Sequence, residues 1–129
     1  MILEIKNYLL NVHLGCSPKE RMEMQKVLVT IKVRFFHPLN ALTSDDLKHT
    51  ICYRHLCNSM KSVVKNREFN TIENLSFNLQ QKLNHVFQEN ANKLKMNLNT
   101  YLMIHKVKPP INNLLGGTKI YLTNRIISK

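Results

Sequence analysis

Val27-Leu28-Val29-Thr30-Ile31-Lys32-Val33-Arg34-Phe35-Phe36 decides the fold class. Val27, Val29, Ile31, Val33 and Phe35 recur at every second residue, the repeat of a β-strand rather than of a helix. One face is wholly apolar. The other, Leu28, Thr30, Lys32, Arg34 and Phe36, is mixed, as expected of a sheet covered by helices on one side only. His37-Pro38 ends the strand.

On the N-terminal side, residues 2 to 14 are rich in Ile, Leu and Val and stop at Gly15, which reads as a first strand. Between the two strands, Cys16-Ser17-Pro18-Lys19-Glu20-Arg21 is a polar turn, with Pro18 unable to donate to a ladder. On the C-terminal side, a polar stretch containing Asp45 and Asp46 is expected to fix the loop before a helix. Leu56, Met60, Val63 and Val64 then form a helical stripe that frays at Lys65-Asn66-Arg67-Glu68. A stronger stripe, Ile72, Leu75, Leu79, Leu83 and Val86, predicts a second helix. Asn70 and Glu73 have the spacing of a capping box at its start. Tyr101 to Lys106 is β-prone and stops before Pro109-Pro110. Gly116-Gly117 is a turn, and Lys119 to Thr123 alternates again. The order ββααββ implies an α+β fold: a four-stranded antiparallel sheet with two helices on one face. Such a sheet has two open edges, a liability that joining several sheets edge to edge removes.

The 129 residues are the size of one domain, 1–129, and 43% of them are hydrophobic. A chain of this length buries roughly two-thirds of its unfolded surface, enough for a core without staples. Nineteen Lys and Arg against eight Asp and Glu give a formal charge of +11. The cations are scattered rather than massed in a block, so a dedicated nucleic-acid tail is absent and no nucleic-acid partner is expected. Cys16, Cys52 and Cys57 are an odd set without a disulfide-framework spacing. Met1-Ile2-Leu3-Glu4 puts an acid where a secretory signal would be basic, and no apolar run approaches the roughly 20 residues of a membrane span. A cytoplasmic protein with reduced thiols and no membrane partner is expected. His49, Cys52, His55 and Cys57 do not have zinc-site spacing and would spread around a helix, so no metal is expected.

Taken singly, the polar residues leave alternatives open. Glu73 is a capping-box acid or a ligand-binding carboxylate. Lys106 is a solvated lysine at a strand end or a site residue beside a proline turn. Tyr53 is an amphipathic side chain at a helix start or a hydrogen-bonding group of a site. Glu20 is an exposed turn acid or a partner for a buried cation.

Four stretches, in order, resemble the dihydroneopterin aldolase family. They are Gly15-Cys16-Ser17-Pro18-Lys19-Glu20-Arg21 leading to Gln25; Ser44-Asp45-Asp46-Leu47 through Thr50-Ile51-Cys52-Tyr53; Asn70-Thr71-Ile72-Glu73-Asn74-Leu75; and Ile104-His105-Lys106 before Pro109-Pro110. The resemblance implies a tunnelling fold whose sheets join into a barrel, as a homo-oligomer of one tetrameric ring or two stacked into an octamer, with active sites between subunits. It implies retro-aldol cleavage of 7,8-dihydroneopterin, a pterin of the folate pathway, to 6-hydroxymethyl-7,8-dihydropterin and glycolaldehyde, with epimerisation at the side-chain C2′ as a candidate second activity. Neither metal, cofactor nor Schiff base is needed. Glu73 and the backbone at Ile72 would bind the pterin edge, because a carboxylate accepts two neighbouring N–H donors side by side. Lys106 would move protons, a task that suits a lysine whose surroundings tune it. Tyr53 would donate to the enol-like intermediate, and Glu20 would orient the substrate side chain and pair with Lys106. Val107-Lys108 intervene before the prolines, and the loop 112–117 is untypical of the family. Residues 65–70 are equally similar to dihydroneopterin triphosphate epimerases, which share the four residues. A basic binding module without catalysis is the third reading.

Overall fold

A computed structural model of the chain describes all residues, 1–129. The alternation at its centre becomes β2 (Met24–Phe35), three residues longer at its start than the apolar pattern indicates. Val27, Val29, Ile31, Val33 and Phe35 are buried on one face, as the pattern requires. β2 pairs antiparallel with β1 (Ile2–Leu14) and, on its other side, with β4 (Leu98–Lys106), which pairs antiparallel with β5 (Thr118–Ile126). These are the four expected antiparallel strands. A fifth, β3, is only Glu68–Phe69 and runs parallel to the end of β1, giving the order β3-β1-β2-β4-β5.

β1 carries a register shift between Ile5 and Tyr8. Asn7 sits there at φ 57°, in the left-handed region that Asn tolerates better than most residues. Its N–H donates to the Thr30 hydroxyl at 3.1 Å, which lets that threonine be buried in β2. An extra residue at a bulge changes which side chains face inward. Leu3 and Ile5 therefore pack inward before it, and Tyr8, Leu10, Val12 and Leu14 after it.

α3 (Tyr53–Val64) and α4 (Ile72–Leu94) cover one face of the sheet. Leu56, Met60 and Val63 of α3 and Leu75, Leu79 and Leu83 of α4 enter the same core as the inward residues of β2. The stripe of α4 continues past Val86 through Phe87 and Ala91, and the helix stops where Lys95 turns left-handed at φ 52°. At its other end the expected capping box is replaced. Thr71, not Asn70, is the N-cap, and its hydroxyl accepts the Asn74 N–H at 3.1 Å. The Glu73 carboxylate is thereby released from any capping role. The polar stretches fold into short pieces: α1 (Pro18–Arg21), α2 (Ala41–Ser44) and a 3-10 turn at Leu47–His49. Asp46 caps that turn by accepting the Lys48 N–H at 2.9 Å, the loop-fixing role expected of it.

Candidate active site

Three chain segments meet at one end of the sheet. The first is the end of β1. There the Ser17 hydroxyl accepts the Glu20 N–H at 3.2 Å and Pro18 opens α1, so the chain makes a single helical turn. That turn folds the Glu20 side chain back over Gly15. Its Oε1 accepts the Cys16 N–H at 3.0 Å. A Cβ at Gly15 would collide with this carboxylate, so the position requires glycine for space. Arg21 steadies the turn, donating to the Gly15 carbonyl at 2.9 Å and lying 3.7 Å from Glu68.

The second segment is the end of β4. Lys106 is its last residue, held in register between Val27 and Thr118. Its Nζ lies 3.1 Å from Glu20 Oε2, across 86 residues of sequence. The two side chains are 13% and 11% exposed, Glu20 and Lys106 respectively. An ion pair this sheltered is not a cheap source of stability, because desolvation offsets most of the attraction. It holds an ammonium and a carboxylate side by side at the wall of a cleft.

The third segment is the start of α4. The Gly15 N–H donates to the Phe69 carbonyl at 3.0 Å, which fixes the chain leading to Thr71 beside the end of β1. The first backbone N–H groups of α4 lack helical partners, as at any helix start. Ile72 is half-buried, and Glu73 is exposed.

Between these segments lies a cleft of about 750 Å3, within the range of small-molecule sites. Glu20, Ile72, Glu73 and Lys106 all line it. Tyr53 does not: it stands at the start of α3, 63% exposed. Within this chain, therefore, four of the five expected site residues share a cleft.

The cleft also contains groups that the sequence reading did not select. Lys19, Glu23 and Lys108 line it, as do Pro109, Pro110 and Ile111. The loop carrying the prolines is anchored at both ends. A ring nitrogen of His105 lies 2.8 Å from the Gly116 carbonyl. Gly117 has φ 73°, and a Cβ there would meet the Lys106 carbonyl and the His105 ring. His105 thereby ties the end of β4 to the far end of the loop. A ring nitrogen of His49 lies 2.8 Å from the Ser44 hydroxyl and one of His13 2.7 Å from the Arg21 carbonyl, local contacts of the same kind. No group of three or more His, Cys, Asp or Glu side chains lies close enough together to hold a metal ion. No helix is long and apolar enough to cross a membrane.

A curled antiparallel sheet, helices on one face and a polar cleft at the sheet end define a tunnelling-fold subunit. Solved structures agree. The dihydroneopterin aldolase of E. coli, crystallised with neopterin, superposes with a TM-score of 0.72 at 16% identity, covering 96% of this chain and 98% of that one. A Burkholderia dihydroneopterin aldolase bound to guanine gives 0.67 at 12% identity, covering 100% and 92%. At such identities the likeness establishes the fold. Sequence carries the family. The FolB dihydroneopterin aldolase family model matches residues 3–123. Probable dihydroneopterin aldolases of Chlamydia pneumoniae and Chlamydia muridarum are 27% and 25% identical over 124 residues, covering 96% of this chain and 88% and 97% of theirs. The chain belongs to the dihydroneopterin aldolase family, the carbon–carbon lyases of folate biosynthesis.

Proposed function

We propose that the cleft cleaves 7,8-dihydroneopterin by retro-aldol chemistry, without metal or Schiff base. The observation that carries this reading is one: Glu73 and the Lys106–Glu20 pair, far apart in sequence, line a single cleft. Glu73 would accept the paired N–H donors of the pterin edge, a short charge-assisted contact. Backbone groups around Ile72 would add to it. The neopterin and guanine bound by the two superposed enzymes share that donor edge.

Bond cleavage needs a proton taken from the C2′ hydroxyl and a place for the C1′–C2′ electrons. The electrons pass into the C6–N5 imine, protonated at N5, as C2′ leaves as the carbonyl carbon of glycolaldehyde. A proton then returns to C1′ to complete the hydroxymethyl group, and N5 gives up its proton to restore the imine. Lys106 would relay these protons through a water, and Glu20 would hold the lysine and the substrate side chain in place.

Tyr53 completes the set only from a neighbouring subunit. The sheet supports such an assembly. β5 has an unpaired outer edge along Thr118–Ile126, and β3 covers only His13 and Leu14 of β1. Two long open edges invite pairing with copies of the chain, into a tetrameric ring or an octamer of two rings. Leu42 and Leu47, on the segment before Tyr53, are exposed in the single subunit. A cytoplasmic location fits an enzyme with three free thiols.

The triphosphate epimerase reading is less favoured. A triphosphate calls for an excess of cations, whereas Lys19, Lys106 and Lys108 in the cleft are matched by Glu20, Glu23 and Glu73. Incubation of the protein with 7,8-dihydroneopterin should release glycolaldehyde, and Lys106→Ala should lower kcat by about 10²-fold or more. Turnover of the triphosphate alone, or full activity in the lysine variant, would overturn the assignment.

A further inference from the structure

The helix-free face of the sheet carries charge that the cleft does not use. Val27, Val29, Ile31, Val33 and Phe35 point toward the helices, so Lys26, Lys32 and Arg34 of β2 point away from them. In β5, Ile120 and Leu122 pack toward the core, which puts Lys119, Tyr121, Thr123 and Arg125 on the same outer face. Cross-strand register sets Arg34, Asn99 and Arg125 in one row and Lys32, Tyr101 and Thr123 in the next. Lys32, Arg34 and Arg125 line one concavity of about 640 Å3.

Part of this cluster is already positioned. Lys32 Nζ stands 5.4 Å from the centre of the Tyr101 ring, and the Arg125 guanidinium 5.6 Å from that of Phe36. Glu4 answers Lys32 at 3.5 Å. Neither Arg34 nor Arg125 has a carboxylate partner. Two unpaired guanidinium forks beside a lysine match the oxygens of a phosphate chain.

We propose that Lys32, Arg34 and Arg125 form a binding site for a free multivalent phosphate anion, which bridges the like-charged faces of neighbouring subunits. The bridging half rests on the ring assembly proposed above. Edge-to-edge closure with helices outside turns this face inward, so cations of successive subunits converge. Their repulsion opposes closure unless an anion sits among them. Enclosure of the face also favours a small free anion over a nucleic-acid strand.

Sodium tripolyphosphate is the probe, titrated calorimetrically into the full chain with ionic strength held constant by sodium chloride, so that screening does not change. Binding is expected, weakened by about tenfold or more in Arg34→Gln and in Arg125→Gln, and unchanged in Lys108→Gln, whose lysine lies in the cleft. Circular dichroism of each variant checks that it folds. Sedimentation velocity on the same samples should show tripolyphosphate raising the assembled fraction, and the double arginine variant assembling without it. Affinity lost in Lys108→Gln and kept in the arginine variants would move the anion to the cleft and overturn the site. Binding of a short oligothymidylate but not of tripolyphosphate would overturn it in favour of nucleic acid. A ring of constant size at every tripolyphosphate concentration would refute the bridging role while leaving the ring intact. A monomer under all conditions would refute the ring as well.

Discussion

Glu20→Gln is the most informative single change, because it alters charge while keeping shape. In the native chain Oε1 accepts the Cys16 N–H at 3.0 Å and Oε2 faces Lys106 Nζ at 3.1 Å. The amide oxygen of glutamine can keep the first contact. Its NH2 group then meets the ammonium, donor against donor. Removing one member of a sheltered ion pair leaves the other unpaired, at a cost of about 3–5 kcal/mol. The cleft admits some water to Lys106, so the lower end, about 3 kcal/mol, is expected. Urea unfolding at fixed protein concentration reads this directly, concentration being held because the proposed assembly would link folding to it. The decisive comparison adds Lys106→Met. With both charges gone, the double variant should be more stable than Glu20→Gln alone and recover most of the loss. If Glu20→Gln unfolds within about 0.5 kcal/mol of the wild type, or if the two changes simply add, the pair is not a coupled sheltered unit and the reasoning fails.

Other outcomes follow from the same geometry. Glu73→Gln should raise KM for 7,8-dihydroneopterin by about tenfold or more, since a charge-assisted double contact is lost; its urea midpoint should hardly move, because Thr71 rather than Glu73 caps α4. Gly117→Ala, at φ 73° and against the Lys106 carbonyl, should destabilise the proline loop and lower kcat/KM, with global unfolding shifted by about 1–3 kcal/mol; wild-type kinetics would show that the loop does not set the cleft. Burial pushes the Cys57 thiol above its ordinary value, so less of it is thiolate at mildly alkaline pH. Iodoacetamide followed by peptide mass mapping should modify exposed Cys16 and Cys52 first, with Cys57 catching up as pH rises; equal rates near pH 8 would contradict the burial.

The elements with a repeating signal were legible. Alternation marked β2, and the stripe from Ile72 to Val86 marked α4, because each buries one face and must place apolar residues at its own period. What was not legible depends on contacts remote in sequence. β3 is two residues long, too short for any period, and exists only because the end of β1 lies beside it. Met24, Gln25 and Lys26 join β2 through pairing with β1 rather than through hydrophobicity. The helix start was misplaced by one residue, since Asn70 and Thr71 are both good caps and backbone geometry chooses between them. At the site, residue types came from the family resemblance. Their convergence came only with the fold, as the 86 residues between Glu20 and Lys106 illustrate. Lys108 gave no signal beyond its unusual place before the prolines. Tyr53 stands outside the cleft, exposed at the start of α3, a separation that only the folded chain reveals.

The irregularity at Asn7 reaches beyond its own strand. An inserted residue bends and twists the ribbon that bears it, and β1 offers one of the two borders along which copies of the chain would join. In a closed circle of equal parts, the turn per part sets how many parts fit. In the ring proposed above, a single asparagine in the left-handed region would thus help set the stoichiometry of the whole circle, and removing it would re-aim the residues before it as well as the angle at which the next copy met this one.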